Sequence, residues 1–488
     1  MNRNQWIWTL LALALLLPGC RKYDPVNERD RIDQETRTQR KYVNTFAWNV
    51  MNSYYLWRDE IQTQLDQWET WEDPIQKVAD IRYKDASGKD IDRWTMVTDD
   101  YSSFQGDVSG HTRTLGMDFV LYYYDQSQKQ VCAVVTYTYA GSPAETAGLK
   151  RGDLILTVNG REMTKDNYQK IVQDGFFGGG TVKLGLRSGK TVTLTAVDMY
   201  EDPIQTVTVL QNQAGRKVGY LHYTSFTLDS CEELTEVFRH FVEEGINDLV
   251  LDLRYNGGGY VITGQVLASM LAPLSAVEAG SVFTQQIVNP TLADELDQEP
   301  NRFQSSFIFK NGDQTRILTT AGANPDLPRL YVLVTGSSAS ASESLVCGLR
   351  PYMDVILVGG RTSGKFCAGF MMDAQGWYDD VKESLETGEY EKALPYVDNW
   401  GMYVMYARYA DCNGVTLSMP DGIAPDVEAE DDPLDGFALG SPRESMLSVA
   451  LSLIEGRTRA AGAPSHPLPT PVEAGFHPRT TGILVGRY

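Results

Sequence analysis

Three serines alternate with alanine at Ser338, Ser340 and Ser342, and Lys365 follows on a Gly-rich turn. A serine hydroxyl is a weak nucleophile and needs a nearby base, either a histidine or a lysine kept neutral by burial, which penalises the charged ammonium. Lys365 is the candidate base. The elements that must position these groups are legible around them. Residues 330–334 form a short apolar run that reads as a buried strand, 340–350 can be helical, and 355–358 read as another buried strand. This order puts the serines where the helix begins, with backbone N–H groups that have no intrahelical acceptor and can take an anionic oxygen. Upstream, a buried strand at 249–253 empties into Arg254-Tyr255-Asn256-Gly257-Gly258-Gly259, and a helix-like run follows at 261–271. The glycines let main-chain amides approach a ligand. Neither nucleotide-binding spacing is present, so an oxyanion hole is the better use of the loop.

Histidine is the commoner partner of serine, but the five histidines, His111, His222, His240, His466 and His477, stand beside no clear partner and read as structural. No pair of acidic residues marks a carbohydrate-processing site. A formal net charge of -21 and the lack of a basic patch exclude a nucleic-acid partner. With 488 residues, 22% charged and 10% aromatic, the chain is long enough for several globular domains. Nothing in it calls for a metal or a cofactor.

At the N-terminus, Arg3 precedes an apolar run from Trp6 to Leu17, which is short for a membrane span and reads as an export signal. Leu17-Pro18-Gly19-Cys20 resembles the lipobox of bacterial lipoproteins, which implies lipidation at Cys20, an anchor in a membrane and a place in the cell envelope. A plain signal peptide cut near Gly19 is the alternative. Residues 21–40 are charged and suit a tether. Tyr42, Phe46, Val50, Tyr54 and Trp57 recur at helical spacing and predict an aromatic-faced packing helix, with a second helix over 74–83. Of the other cysteines, Cys132 and Cys231 read as buried fillers. Cys367 has Cys347 or Cys412 as possible disulfide partners, and no zinc spacing occurs.

Residues 110–200 have a different texture. Leu115-Gly116-Met117-Asp118-Phe119, a strand-like run at 131–138, Gly141-Ser142-Pro143, Gly148-Leu149 and the strand ending in Asn159-Gly160 closely resemble a PDZ domain. The resemblance implies that backbone amides of the loop at Leu115, Gly116, Met117, Asp118 and Phe119 capture a peptide's terminal carboxylate while the peptide adds to a sheet edge. Next, Asp252-Leu253-Arg254-Tyr255-Asn256-Gly257-Gly258-Gly259, Ser338-Ala339-Ser340-Ala341-Ser342-Glu343, Thr362-Ser363-Gly364-Lys365 and Gly422-Ile423-Ala424-Pro425-Asp426 look like the ordered motifs of the carboxy-terminal processing, or tail-specific, protease family. That resemblance covers roughly 41–455 and implies a Ser-Lys endopeptidase on a βαβ-layered, crotonase/ClpP-like fold. The family's nucleophile is the middle serine, and its lysine stands twenty-five positions later, which selects Ser340 and Lys365. The oxyanion hole implied is the N–H of Ala341 with that of Gly258, or Gly259 as the near alternative.

Two positions depart from the family. Its orienting glutamine, four residues after the lysine, is Gly369 here, with Gln375 in the neighbourhood. Its aspartate eleven positions after the serine is Pro351, with Asp354 close by. The expectation is therefore a multidomain α/β protein: a lipoprotein signal at 1–20, a charged tether at 21–40, a helical domain at 41–108, a PDZ-like β-rich domain at 109–200, the Ser-Lys domain at 201–456 and a Pro-rich extension at 457–488. Its expected activity is hydrolysis of polypeptides through an acyl-enzyme on Ser340, with recognition of their C-termini as one option for the PDZ-like domain. The rival is a catalytically inactive peptide-binding scaffold lipoprotein of the same fold. Insertions at 275–328 and 373–420 would shape a substrate cleft or cap the active site. Oligomeric state is not legible.

Overall fold

The computed structural model describes residues 33–457, except 125, 126, 128, 212–214, 296–298, 312, 313 and 418, together with Val472. The export signal, Cys20 and most of the Pro-rich extension lie outside the described residues. No helix among the described residues is long and apolar enough to cross a membrane.

Helix α1 (Gln34–Tyr54) starts inside the expected tether because the Asp33 carboxylate accepts the Thr36 N–H and caps it. Its Tyr42, Phe46 and Val50 are buried, as the periodicity predicts, whereas Trp57 lies beyond the helix end. A second helix follows at Pro74–Ile81. Strand β1 (Met96–Thr98) leads to an antiparallel pairing of His111–Thr114 with Val197–Tyr200, so the chain enters and leaves the PDZ-like unit side by side.

Within that unit β2 (Met117–Tyr123), β3 (Val131–Thr138), β4 (Leu154–Val158), β5 (Thr181–Leu186) and β6 (Thr191–Thr195) lie in this spatial order. Helix α2 (Tyr168–Phe176) packs Ile171, Val172 and Phe176 into the apolar face of the sheet. Strand β2 is an edge, with β3 as its only ladder partner among the described residues.

The main sheet follows: β7 (Ile204–Gln211), β8 (Lys217–Tyr223), β9 (Asp248–Asp252), then β11, β12 and β15 (Arg329–Val334, Asp354–Gly359 and Val427–Glu428), in that spatial order. All neighbours are parallel except β7 and β8. Strands of a parallel sheet are covered on both faces, and these read as unbroken apolar runs for that reason. Helices α3 (Ser230–Glu244), α4 (Val261–Leu271) and α5 (Ala341–Leu349) pack on one face, and α6 (Ser445–Ile454) covers the other.

The expected insertions contribute two strands to a second sheet. Its long strand β14 (Gly401–Ala410) carries β13 (Cys367–Asp373) on one side and β1 and β10 (Val282–Val288) end to end on the other. The aromatic N-terminal helices pack against this sheet. All five cysteines named above except Cys20 are free thiols, so neither suggested partner of Cys367 is bonded to it; Cys132 and Cys231 are buried. Cys367 Sγ instead lies 3.3 Å from Met405 Sδ.

Candidate active site

Ser340 sits at the N-cap of α5 with φ +57° and ψ −112°, a conformation that side-chain-bearing residues rarely adopt and that costs on the order of 1–3 kcal/mol unless its surroundings impose it. Here they do. A Cβ at Gly258 would come within 2.7 Å of the Ser340 Cβ and 3.1 Å of the Ala341 N, so only glycine lets the loop close on the serine. The flanking serines are fasteners: Ser338 Oγ donates to Leu253 O at 2.7 Å and Ser342 Oγ to Asn256 O at 3.0 Å, tying the turn to the glycine loop.

Glu343 joins the serine turn to the lysine turn. It is almost wholly buried and accepts the N–H of Ser340 (3.1 Å) and of Gly364 (2.8 Å) and the hydroxyl of Thr362 (2.6 Å). Burial raises its carboxyl above the usual range, and these donors only partly offset that. The spacing Ser340-x-x-Glu343 before an apolar helix is a capping-box signal, so this role was within reach of sequence reasoning. Thr362 Oγ1 in turn accepts the Ile423 N–H at 2.7 Å, and the Asp426 carboxylate accepts the Leu357 N–H at 2.8 Å, which ties the last of the four motifs to the same framework.

Lys365 is buried on the opposite wall, with Nζ 5.7 Å from the Trp94 ring centroid and 5.1 Å from that of Tyr403. Its hydrogen-bond partner is the Tyr403 hydroxyl at 3.4 Å, and it is not bonded to Ser340. Gly369, at the family's glutamine position, explains how Tyr403 comes to stand there. A Cβ at Gly369 would meet Tyr403 Cζ at 2.6 Å and Met405 Cε at 2.3 Å, so the absence of a side chain is what admits the tyrosine ring. Gln375 lies in the first turn of a helix at Ala374–Val381, and none of Gln375, Pro351 and Asp354 lines the cleft. From the same β14, the buried Tyr409 side chain interacts with that of Ser340.

The Ala341 N–H, at the first position of α5, has no acceptor among the described residues, and neither does that of Gly259. Gly258, the sequence's first choice as second donor, gives its N–H to Asn256 Oδ1 at 2.8 Å. Beneath this loop lies a buried ionic cluster that sequence reasoning missed. The fully buried Arg254 donates Nε to Asp252 Oδ1 (3.0 Å) and Nη1 to Asp431 Oδ1 (2.8 Å) and Glu444 Oε1 (2.6 Å). Arg151, from the PDZ-like unit, donates to Asp431 Oδ1 (2.7 Å) and to the Tyr255 hydroxyl (2.8 Å). Burial alone would raise the Asp252, Asp431 and Glu444 carboxyls; the neighbouring guanidinium groups reverse this and hold all three below the usual range. His222 packs between Tyr137 and Tyr255 with both ring nitrogens unpartnered, and burial lowers it to about 4.

Ser340, Lys365, the glycine loop and the end of α2 line one cleft of about 1050 Å³. The loop expected to bind a carboxylate is closed within it. Leu115, Gly116, Met117, Asp118 and Phe119 are all buried, the Gly116 N–H goes to Thr114 Oγ1 (2.9 Å) and that of Phe119 to Asp118 Oδ1 (2.8 Å). A Cβ at Gly116 would meet Ser142 Cβ at 2.1 Å, so this glycine serves close packing against Ser142.

Residues 217–429 match peptidase family S41, and residues 134–175 match the PDZ domain. The S41 match takes in the main sheet from β8 onward together with Ser340 and Lys365. A carboxyl-terminal-processing protease of a Picosynechococcus species is 26% identical over 323 residues, 64% of this chain and 64% of that protein. The carboxy-terminal processing protease CtpB of Bacillus subtilis is 24% identical over 333 residues, 62% of this chain and 64% of that protein. The chain thus spans about 64% of the length of these curated relatives. A Bacteroides fragilis structure assigned to the S41 proteases superposes with a TM-score of 0.62 at 24% identity, over 84% of this chain and 97% of that one, which shows the shared fold.

Proposed function

We propose that this chain is a serine endopeptidase in which Ser340 attacks the peptide carbonyl and Lys365 takes the hydroxyl proton, then returns it to the leaving amine. Water hydrolyses the resulting acyl-enzyme by the same route. The observation that carries the reading is Ser340 at positive φ, pressed against Gly258 at the start of a buried helix, in one cleft with the buried Lys365. The Ala341 and Gly259 amides are the oxyanion donors, and one such donor is worth about 3 kcal/mol in the transition state. Lys365 is bonded to Tyr403 and not to Ser340, and contacts between nucleophile and base commonly tighten only around substrate.

Tyr403 takes the orienting part that a glutamine plays in the family, entering through the space left at Gly369. The PDZ unit brings extended polypeptide to the cleft along its strand edge. Because the Gly116 and Phe119 amides are already committed, capture of a terminal carboxylate at that loop has little support. The protein is exported and held at a membrane by a lipid on Cys20, checked by fatty-acid labelling that Cys20→Ala abolishes.

Purified protein should cleave an unstructured polypeptide. Ser340→Ala should abolish cleavage, and Lys365→Ala should lower kcat by about 100-fold to 10,000-fold. Cleavage by Ser340→Ala at the wild-type rate sinks the proposal in favour of another nucleophile, and no cleavage by the wild type favours the inactive scaffold.

A further inference from the structure

Between the helix at Pro74–Ile81 and β1, the pair Arg93-Trp94 reaches the lysine turn from the N-terminal unit. Arg93 Nη2 donates to Ser363 O at 3.0 Å, and the Trp94 ring centroid stands 5.7 Å from Lys365 Nζ. The two side chains act as one body, because the half-buried Arg93 guanidinium lies over the Trp94 ring with Cζ 4.8 Å from its centroid.

This pair is anchored in the N-terminal core. The buried Asp92 accepts the N–H of Trp94 (2.9 Å) and of Thr95 (3.1 Å) on Oδ1, and the Tyr55 hydroxyl (2.8 Å) on Oδ2. Asp92 thereby makes a tight Asx turn from which Arg93 projects. Tyr55 caps the end of α1 and is itself fully buried, and the Arg93 carbonyl accepts from Arg82 Nη1 at 3.2 Å.

On the receiving side, the Ser363 N–H donates to Ser338 O in the serine turn at 3.0 Å. The next peptide plane, between Ser363 and Gly364, is held on both faces of its dipole: Arg93 donates to its oxygen, and its N–H goes to Glu343 at 2.8 Å. Lys365 follows that plane directly. Gly364 stands at φ +79° and has no side chain to restrict it, so bonds from outside the turn must fix the backbone that carries the lysine. Burial lowers the Arg93 guanidinium from its ordinary value, and among its charged neighbours the Glu343 carboxylate opposes this most.

We propose that Arg93 is a positioning residue: it fixes the peptide plane ahead of Lys365 and so sets where the base stands relative to Ser340, while Nζ stays between the Trp94 and Tyr403 rings. The N-terminal unit is then part of the active site and not only a packing module. The catalytic consequence rests on the endopeptidase reading, whereas the hold on the turn does not, so each is measured separately.

The test compares the full wild-type chain with Arg93→Met, which keeps most of the stem but no donor or charge, and Arg93→Lys, which keeps a charge and a donor. Amide hydrogen exchange, read by mass spectrometry on peptides covering 362–366, should be at least about tenfold faster in Arg93→Met, the size of one lost hydrogen bond to a charged group, with exchange in the PDZ sheet and in α6 unchanged. In cleavage of an unstructured polypeptide, kcat should fall by about tenfold to 100-fold while KM changes by less than about threefold, and Arg93→Lys should recover most of the loss in both measurements. Unchanged exchange in the turn, exchange that rises equally throughout the chain, a loss carried by KM, or a lysine variant no better than methionine overturns the proposal. A wild type that does not cleave removes the endopeptidase reading, and the exchange of the turn still decides whether Arg93 holds it, so the two failures are distinguishable.

Discussion

The two walls of the cleft are built in opposite ways. Under the glycine loop, Arg254 and Arg151 meet three carboxylates and the Tyr255 hydroxyl at 2.6–3.0 Å, with Arg254 fully buried. Among the described residues Lys365 Nζ makes one hydrogen bond, at 3.4 Å, and the Trp94 and Tyr403 rings stand beside it. A charge-assisted network pins the backbone, because removing any member strands a buried charge. Aromatic walls constrain position loosely and leave an ammonium or amine free to shift. The contrast suits the parts assigned to each wall: amides that stabilise developing charge must be fixed beforehand, whereas a base has to move a proton between two partners.

Arg254→Met tests the rigid wall most severely. It leaves the Asp252, Asp431 and Glu444 carboxylates buried without their main cation and should cost about 3–5 kcal/mol, read as a lowered urea midpoint. A loss below about 1 kcal/mol would mean that the network contributes far less rigidity than its density suggests.

His222, at the border of that network, gives a smaller effect with a defined pH window. It is neutral in the folded chain down to about pH 4, while its unfolded value is 6.5. Between these values the unfolded chain binds the extra proton, so stability falls as pH drops through the window and is fully present above 6.5. From pH 7 to pH 5 this term is about 2 kcal/mol. His222→Phe keeps a ring between Tyr137 and Tyr255 and should remove that much of the acid sensitivity, measured by urea unfolding at both pH values. An unchanged pH slope would place the titration elsewhere.

The loose wall is probed by Tyr403→Phe, which keeps the ring over Lys365 and beside Gly369 but removes the hydroxyl. Activity should fall by about tenfold, with an unfolding temperature within about 2 °C of wild type. A large loss of stability instead would mean that Tyr403 is held for packing, and the contrast between the walls would lose one side.

Much of this architecture was legible in the residues. The strands at 217–223, 248–252, 329–334 and 354–359 are apolar through most of their length because a parallel sheet is covered on both faces, and the helix at 261–271 starts and stops where its apolar run does. The start of α1 inside the charged segment followed from a single capping aspartate, which composition conceals. Arg151 and Glu444 are nearly three hundred positions apart, and no local period links them.

By itself, then, the sequence determined the order of the strands and helices, the serine set at a helix start and the lysine on its turn, since these follow from apolar period, glycine placement and spacing along the chain, while the PDZ unit ahead of them was legible through its resemblance to a known family. Tertiary structure alone decided what holds each group. Tyr403 reaches Lys365 because β14 pairs with β13 at Gly369. The Gly258 amide turns to Asn256, the Gly116 loop closes on Ser142, and Val472 returns to β2 from the far end of the chain. Each depends on which distant elements become neighbours, and that is set by the sum of many packing contacts rather than by any local pattern.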